Sequence, residues 1–492
     1  MNPGLQARAG NRKPSRGAVL LVLAGVLGII AVIFVLAMGG ASSRRIESRD
    51  RSTEALARAK EALLSFATSY GDTHSGETPG YMPCPDRFGG NPEGTAEPSC
   101  GGADEAVIGR LPWRTLDLPD LRDGSGECLW YVVSGNYKNS PKTSLLNWDT
   151  NGLLTVNGSS GEILAQGNAP TGAVAVLIAP GAAWGSQNRT ADPGAPICRG
   201  NYSPAQYLDS AGGYNNAVIN AAANGVSDFV TGPASDTFND QLVWITSEEL
   251  WAAIDRRPHK SPANPTGPAV SLTQALSDLA KKTAECIAAY APLNADYGSD
   301  DDRRLLWATD YPFANGDYGS NANYDDQSGR YFGHVSRTVD TSKTATANTM
   351  SGTDLFGLCT GAAPYAPWWR NWRDHLFYAV SDEFAPSGDD DNTDCDPDSS
   401  DPCLRIDGSP RIHAAIVFFA GRRLSGQGRA NNSGSGLSAA KGSISNYLEG
   451  RNATESLEGL GQDRNFETTA PSATFNDVLY CIDDGLAVSL CP

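Results

Sequence analysis

The chain lacks the short motifs that most enzymes and metalloproteins carry. None of its ten cysteines forms a CxxC pair, which excludes zinc-ribbon and thioredoxin chemistry. No HExxH is present, so a zinc-protease helix is absent. No GxSxG is present either, so there is no nucleophile elbow. Gly434-Ser435-Gly436 lies inside a Gly/Ser/Asn-rich loop rather than at a strand-to-helix turn, which removes a nucleotide-binding reading. The five histidines, His74, His259, His334, His375 and His413, are scattered and read as satisfied structural residues. Positive charge is also in short supply. Lys and Arg number 38 against 56 Asp and Glu, giving a net charge of −18. No basic stripe appears beyond the first residues and the Arg44–Lys60 stretch, which excludes a nucleic-acid groove. The sequence is read as that of a protein that is not an enzyme and does not bind nucleic acid directly.

What is present begins with an uncharged run. Residues 18–38, AVLLVLAGVLGIIAVIFVLAM, carry no charge and follow a basic leader that contains Arg8, Arg12, Lys13 and Arg16. At about 1.5 Å per residue this run spans a hydrocarbon core of about 30 Å. A cleaved secretory signal is the alternative, and Gly39-Gly40-Ala41-Ser42 supplies a small-residue site for it. The residues that follow argue against that alternative. Leu56, Leu63, Phe66 and Tyr70 recur at helical spacing with Ala59 between them, and no proline interrupts 18–70. The spacing predicts one helix of roughly 50 residues, apolar in its first half and amphipathic in its second.

Arg16-Gly17 before Ala18-Val19-Leu20-Leu21 resembles the N-terminus of the type IV pilin and pseudopilin superfamily. The resemblance covers about the first 70 residues. It implies a leader (1–17) cut by a prepilin peptidase between Gly17 and Ala18. It also implies a transmembrane and filament helix (18–70) that sits in the inner membrane before packing among the helices of other pilin-like subunits. Most members carry Glu at the fifth mature position, where this chain has Val22. A buried carboxylate is costly without a partner. A subunit with nothing to pair with does better without it, and the large minor pseudopilin at the tip of type II secretion pseudopili also lacks it. Val22 therefore points to a minor or tip subunit.

The cysteines all lie beyond the apolar run, at 84, 100, 128, 198, 286, 359, 395, 403, 481 and 491. An even count in an exported region reads as disulfides. Proximity favours Cys84–Cys100, Cys395–Cys403 and Cys481–Cys491. The other four are left to pair as Cys128–Cys198 and Cys286–Cys359, although sequence does not fix the connectivity. The expected location is a single-pass inner-membrane protein with a periplasmic head, later held in a filament in the periplasm or at the cell surface.

The exported part repeats itself. Residues 172–189 align with 412–429 at a shift of 240, which places Gly181, Gln187 and Arg189 on Gly421, Gln427 and Arg429. Tyr207-Leu208-Asp209 falls on Tyr447-Leu448-Glu449, and Thr237-Phe238-Asn239-Asp240 matches Thr474-Phe475-Asn476-Asp477. Pro112-Trp113 has a counterpart in Pro367-Trp368, and the helix to Tyr70 has one ending at Tyr290. The runs VAVLIA and AAIVFFA read as buried central strands. The expected fold is α+β. It combines the long N-terminal helix, membrane half plus amphipathic half, with two tandem pilin-like heads, each a helix packed on an antiparallel sheet. The heads span 71–254 and 269–492, and the Pro-rich stretch 255–268 reads as a linker.

The sharpest local feature is acidic. Asp394, Asp396 and Asp398 alternate, Asn392 extends the series and Asp401 follows. Calcium takes roughly six to eight oxygens at about 2.3–2.6 Å, and loops with oxygens at every second position wrap it. The run resembles calcium loops of the thrombospondin type 3 kind. It departs from an EF-hand, with no Gly at the sixth place and no Glu at the twelfth. A solvated acidic loop pinned by Cys395–Cys403 is the other reading. The cluster Trp368-Trp369-Trp372 is read as core rather than as a sugar-binding platform.

Two functions stand against one another. One is a minor, tip or priming, pilin-like subunit of a type IV pilus or type II secretion-like filament, with a role in adhesion. A head of about 420 residues has a radius of gyration near 22 Å, which is awkward to repeat along a tightly wound filament and favours low copy number. The alternative is a non-polymerising bitopic envelope protein, an anchored binding module or an unrecognised hydrolase.

Overall fold

The computed structural model describes residues 46–87, 92–143, 145–190, 196–262, 266–291, 304–325, 329–339, 353–386, 403–409, 411–429, 440–455 and 464–492. The first element is a helix, α1, over residues 46–73. Leu56, Ala59, Leu63, Ala67 and Tyr70 fall on one face at intervals of three and four and are 0–4% exposed. The other face carries the i,i+4 pairs Glu47–Arg51 and Glu54–Arg58 in solvent.

Seven strands build the first sheet: β1 (Val107–Arg110), β2 (Trp130–Val133), β3 (Leu154–Gly158), β4 (Ile163–Ala165), β5 (Ala173–Ala179), β6 (Ser227–Thr231) and β7 (Gln241–Thr246). Strand β5 lies between antiparallel β2 and β7. Helix α2 (Ser247–Asp255) follows directly, capped where Thr246 Oγ1 accepts from the Glu249 amide. Helix α3 (Leu272–Tyr290) is capped in the same way by Ser271 and packs on the second sheet. That sheet is antiparallel throughout. Its order is β8 (Phe332–His334), β9 (Leu376–Val380), β10 (Ala415–Phe419), β11 (Val478–Ile482) and β12 (Val488–Leu490).

Both central strands are buried on both faces, which explains their unbroken apolar sequence. Along β10, Ala415, Val417 and Phe419 join one cluster while Ile416 and Phe418 join another. Along β5 the same alternation is interrupted once. Val174 and Ala175 both face the inner cluster, where the register shifts between Ala173 and Ala175.

The expected fold class is corrected on three points. Among the described residues no helix is long and apolar enough to cross a membrane. The charged outer face of α1 suits water, and residues 1–45, with the expected membrane half, lie outside the described residues. The first sheet is mixed, because β6 runs parallel to β3. A parallel pair needs a long crossover rather than a hairpin, and the 68 residues from Ser159 to Val226 provide it.

The third point concerns the heads. The two halves do not have separate cores. The inner faces of both sheets and the buried faces of α1 and α3 form one continuous cluster running from Ala55 to Ile482. Each sheet keeps a smaller cluster on its outer face. The stretch read as a linker is tied down at its ends: His259 and Val270 exchange backbone hydrogen bonds of 2.7 Å, and Arg257 donates to the Thr68 carbonyl on α1.

One glycine is needed for this packing. Gly94, at φ +81°, lies under the Trp113 indole, and a Cβ there would come within 2.2 Å of the ring.

Candidate functional site

Burying charge is costly unless it is paired, and the junction between the halves buries five charged groups. Asp374 and His375 stand just before β9, after the short helix Ala366–Trp372. Lys441 and Arg429 come from loops beyond β10, and Asp149 comes from a turn before β3 in the other half. All five side chains are 0–2% exposed.

His375 sits between the two carboxylates. Its Nδ1 donates to Asp374 Oδ1 at 3.0 Å. Its Nε2 lies 3.1 Å from Asp149 Oδ2, close enough for charge attraction but not aligned as a hydrogen bond. Lys441 Nζ donates to Asp374 Oδ2. Arg429 Nη1 lies 3.9 Å from Asp149 Oδ2, and its guanidinium stacks 4.7 Å from the Tyr447 ring centroid.

Burial opposes the charged forms of Asp374, Asp149 and His375. For Asp374 it is outweighed by the Lys441 ammonium and then by His375, so the carboxyl is held well below its ordinary value. For Asp149 it is outweighed by His375 and Arg429, and the pKa is again lowered. For His375 it is outweighed by Asp374 and Asp149, and the imidazole pKa is raised. His334 shows the opposite outcome, because burial dominates there and lowers it to about 3.

Neutral groups extend the junction. Asn147 Nδ2 donates to the Asn371 carbonyl at 2.8 Å and to Asp374 Oδ1 at 2.9 Å. Asn371 Oδ1 accepts from the Leu146 amide at 3.2 Å, and its Nδ2 donates to Thr78 Oγ1 at 2.7 Å. These bonds join residues more than 200 positions apart. The five charged side chains are buried, and the arrangement fastens the two halves together.

The same set of hydrogen bonds recurs at positions paired by the sequence alignment. Arg189 donates to the carbonyls of Gly181 and Tyr207 and to Gln187 Oε1, and Arg429 donates to those of Gly421 and Tyr447 and to Gln427 Oε1. Gln187 reaches Asp209, and Gln427 reaches Glu449. The Asp209 amide donates to Asp240 Oδ2 at 2.8 Å, and the Glu449 amide donates to Asp477 Oδ2 at 3.0 Å. Asp240 and Asp477 both have pKa values raised well above the usual carboxylate range, first by burial and then by the neighbouring Asp209 or Glu449.

Disulfides join Cys84–Cys100, Cys128–Cys198, Cys286–Cys359 and Cys481–Cys491. Cys403 is also disulfide-bonded, and Cys395 lies outside the described residues. The processing pair Gly17 and Ala18 lies outside them too, as do Asn392, Asp394, Asp396, Asp398 and Asp401. Among the described residues no group of three or more His, Cys, Asp or Glu is placed to hold a metal ion. Trp368, Trp369 and Trp372 are 1–2% exposed and belong to the inner core.

The charged junction has a weak sequence signature. Arg429 is marked by its alignment with Arg189, and Asp374-His375 are adjacent, but Asp149 and Lys441 sit in loops with no periodicity to mark them. No family model matches the chain, and neither a curated protein nor a solved structure matches it.

Proposed function

We propose that this chain is a structural subunit of low copy number in a filament of the type IV pilus or type II secretion kind, placed at the tip or used in priming. Its uncharged segment 18–38 enters the membrane after a basic leader, prepilin peptidase cuts between Gly17 and Ala18, and the segment then docks among those of other pilin-like subunits. The folded part stays in the periplasm or at the cell surface and contributes to adhesion. The observation that carries this reading is the order of elements: the uncharged run leads without a proline into α1, whose inner face is locked into the shared core. A helix anchored so firmly transmits force from an N-terminal docking segment to the whole body. The disulfides support an oxidising compartment.

Mass spectrometry of the mature N-terminus tests the reading. The expected product begins at Ala18 and carries an N-methyl group. An intact Met1, or cleavage near Ser42, overturns it, and intact Met1 favours an anchored protein that never polymerises. The same reading gives the acidic run Asn392, Asp394, Asp396, Asp398 and Asp401 a calcium ion. Isothermal titration is expected to show calcium binding that disappears in Asp394→Ala/Asp396→Ala. No heat of binding in the parent chain rejects that assignment.

A further inference from the structure

The two halves finish their sheets differently. Strand β7 follows Thr237-Phe238-Asn239-Asp240, and β11 follows Thr474-Phe475-Asn476-Asp477, so Leu242 corresponds to Leu479 and Trp244 to Cys481. The pairing agrees, because Leu177 lies opposite Val243 and their counterparts Val417 and Tyr480 lie opposite each other. After β11 the chain turns back and lays β12 antiparallel along its outer edge. There Ser489 lies opposite Cys481, the Cys491 amide donates to the Leu479 carbonyl at 3.0 Å, and Cys481–Cys491 fastens the strand. After β7 the chain runs directly into α2, and among the described residues no strand covers the matching edge.

That edge carries unmet backbone groups. The Ser134 amide donates to the Val174 carbonyl at 2.9 Å, so Val174, Val176 and Ile178 turn to β2, while Ala175, Leu177 and Ala179 turn to β7. Ile245, Val243 and Gln241 answer them, which points the N–H and C=O of Leu242 and Trp244 away from the sheet. Among the described residues nothing pairs with them. Other edges are closed. Arg110 on β1 exchanges backbone bonds of 3.0 and 2.8 Å with Asp86. The Asn216 side chain meets both backbone groups of Val230 on β6, and the Thr309 amide donates to the His334 carbonyl on β8. Strands β4 and β12 are only three residues long. Strand β7 has six residues, no charge and no proline, and Gln241, Val243, Trp244 and Thr246 are partly exposed. Such an edge is suited to accepting a further strand.

We infer that the β7 edge binds an extended segment of another polypeptide, added antiparallel in the place that β12 takes on β11. The counterpart defines the chemistry of the occupant. Val488, Ser489 and Leu490 set two aliphatic side chains around a small polar one, with Ser489 opposite the position of Trp244. An uncharged strand selects an uncharged partner. Pairing two β7 strands would instead set Trp244 against a second Trp244, where the counterpart sets Cys481 against Ser489. With Trp244 in place of a cysteine the added strand is held without a covalent bond, so it is exchangeable. The inference does not depend on the filament reading, because β7 belongs to the folded part.

The test uses the full-length chain in detergent and a synthetic peptide of residues 485–492 carrying Cys491→Ser. Anisotropy of the labelled peptide reads affinity, and hydrogen exchange with mass spectrometry reads single amides. Saturable binding is expected, with exchange at Leu242 and Trp244 slowed at least about tenfold and Val243 unchanged. N-methylation of the peptide at Ser489, whose amide faces the edge, weakens binding about tenfold, and N-methylation at Leu490, whose amide faces away, leaves it unchanged. Trp244→Lys weakens it as well, and the methylated peptides carry the test if that variant does not fold. The inference is overturned if the peptide does not bind or if both methylations act equally. It is also overturned if Leu242 and Trp244 are already protected without peptide. Protection at every concentration then marks another segment of this chain as the occupant, and protection only at high concentration marks a second copy.

Discussion

Replacing Lys441 with Met removes one ammonium from the junction and little volume. In the native chain that ammonium meets Asp374 Oδ2, with both side chains 0–2% exposed. The variant leaves Asp374 ionised beside His375 and Asn147, with its strongest cationic partner gone. Breaking a buried pair from one side costs about 3–5 kcal/mol, because the remaining charge stays buried without its compensation. His375 still meets Asp374, so the lower end, about 3 kcal/mol, is expected. Urea unfolding followed by near-ultraviolet circular dichroism reads the loss as a fall in midpoint at constant slope. Asp374→Asn added to Lys441→Met recovers at least half of it, since the uncompensated charge is then absent. A single-variant loss below about 1 kcal/mol, the size of an exposed ion pair, or strict additivity in the double variant, refutes the account.

Stability across pH follows from the same residues. The raised His375 pKa contributes stability that is full below the unfolded imidazole value of about 6.5 and is lost as pH rises through the folded value. The lowered Asp149 and Asp374 values contribute stability that is full above about 3.9 and is lost as pH falls through their folded values. The junction is therefore tightest between about pH 4 and 6.5, and His375→Asn flattens the alkaline side of a stability profile; an unchanged profile rejects the linkage. Asp477 works the other way, because its raised pKa gives stability that is lost as pH rises. Asp477→Asn keeps the acceptor for the Glu449 amide and is expected to gain on the order of 1 kcal/mol at pH 7 with no gain in acid, measured by urea unfolding at both pH values. Removing Cys128–Cys198, which spans 70 residues, is expected to cost ~4 kcal/mol against ~3 for Cys481–Cys491, which spans 10, in paired Ser variants followed by the same unfolding assay.

Local signals in this chain were readable, and long-range ones were not. The two unbroken apolar runs marked β5 and β10, because a strand buried on both faces needs no alternation. The spacing of Leu56, Leu63 and Tyr70 marked the buried face of α1, and short separations marked Cys84–Cys100 and Cys481–Cys491. The parallel pairing of β3 with β6 was hidden, since sequence records the length of a crossover but not where it returns. The repeat predicts two heads in tandem, but a repeat pattern is the same whether its units stand apart or share a core. The choice is made by side chains such as Asn147 and Asn371, which resemble any loop asparagine until the fold brings them within 2.8 Å. Asp149 and Lys441 were illegible for the same reason.

The shared core also sets an order of events for a chain that emerges from its N-terminus. When residue 255 is out, α1 and the first sheet are complete, but the share of their common core that α3 and the second sheet supply is still missing. Some 200 residues of synthesis or translocation separate those moments. During that interval a broad oily surface is open to any passing chaperone or neighbouring chain. Truncation anywhere before Ile482 is thus expected to leave a sticky remnant rather than a smaller working protein.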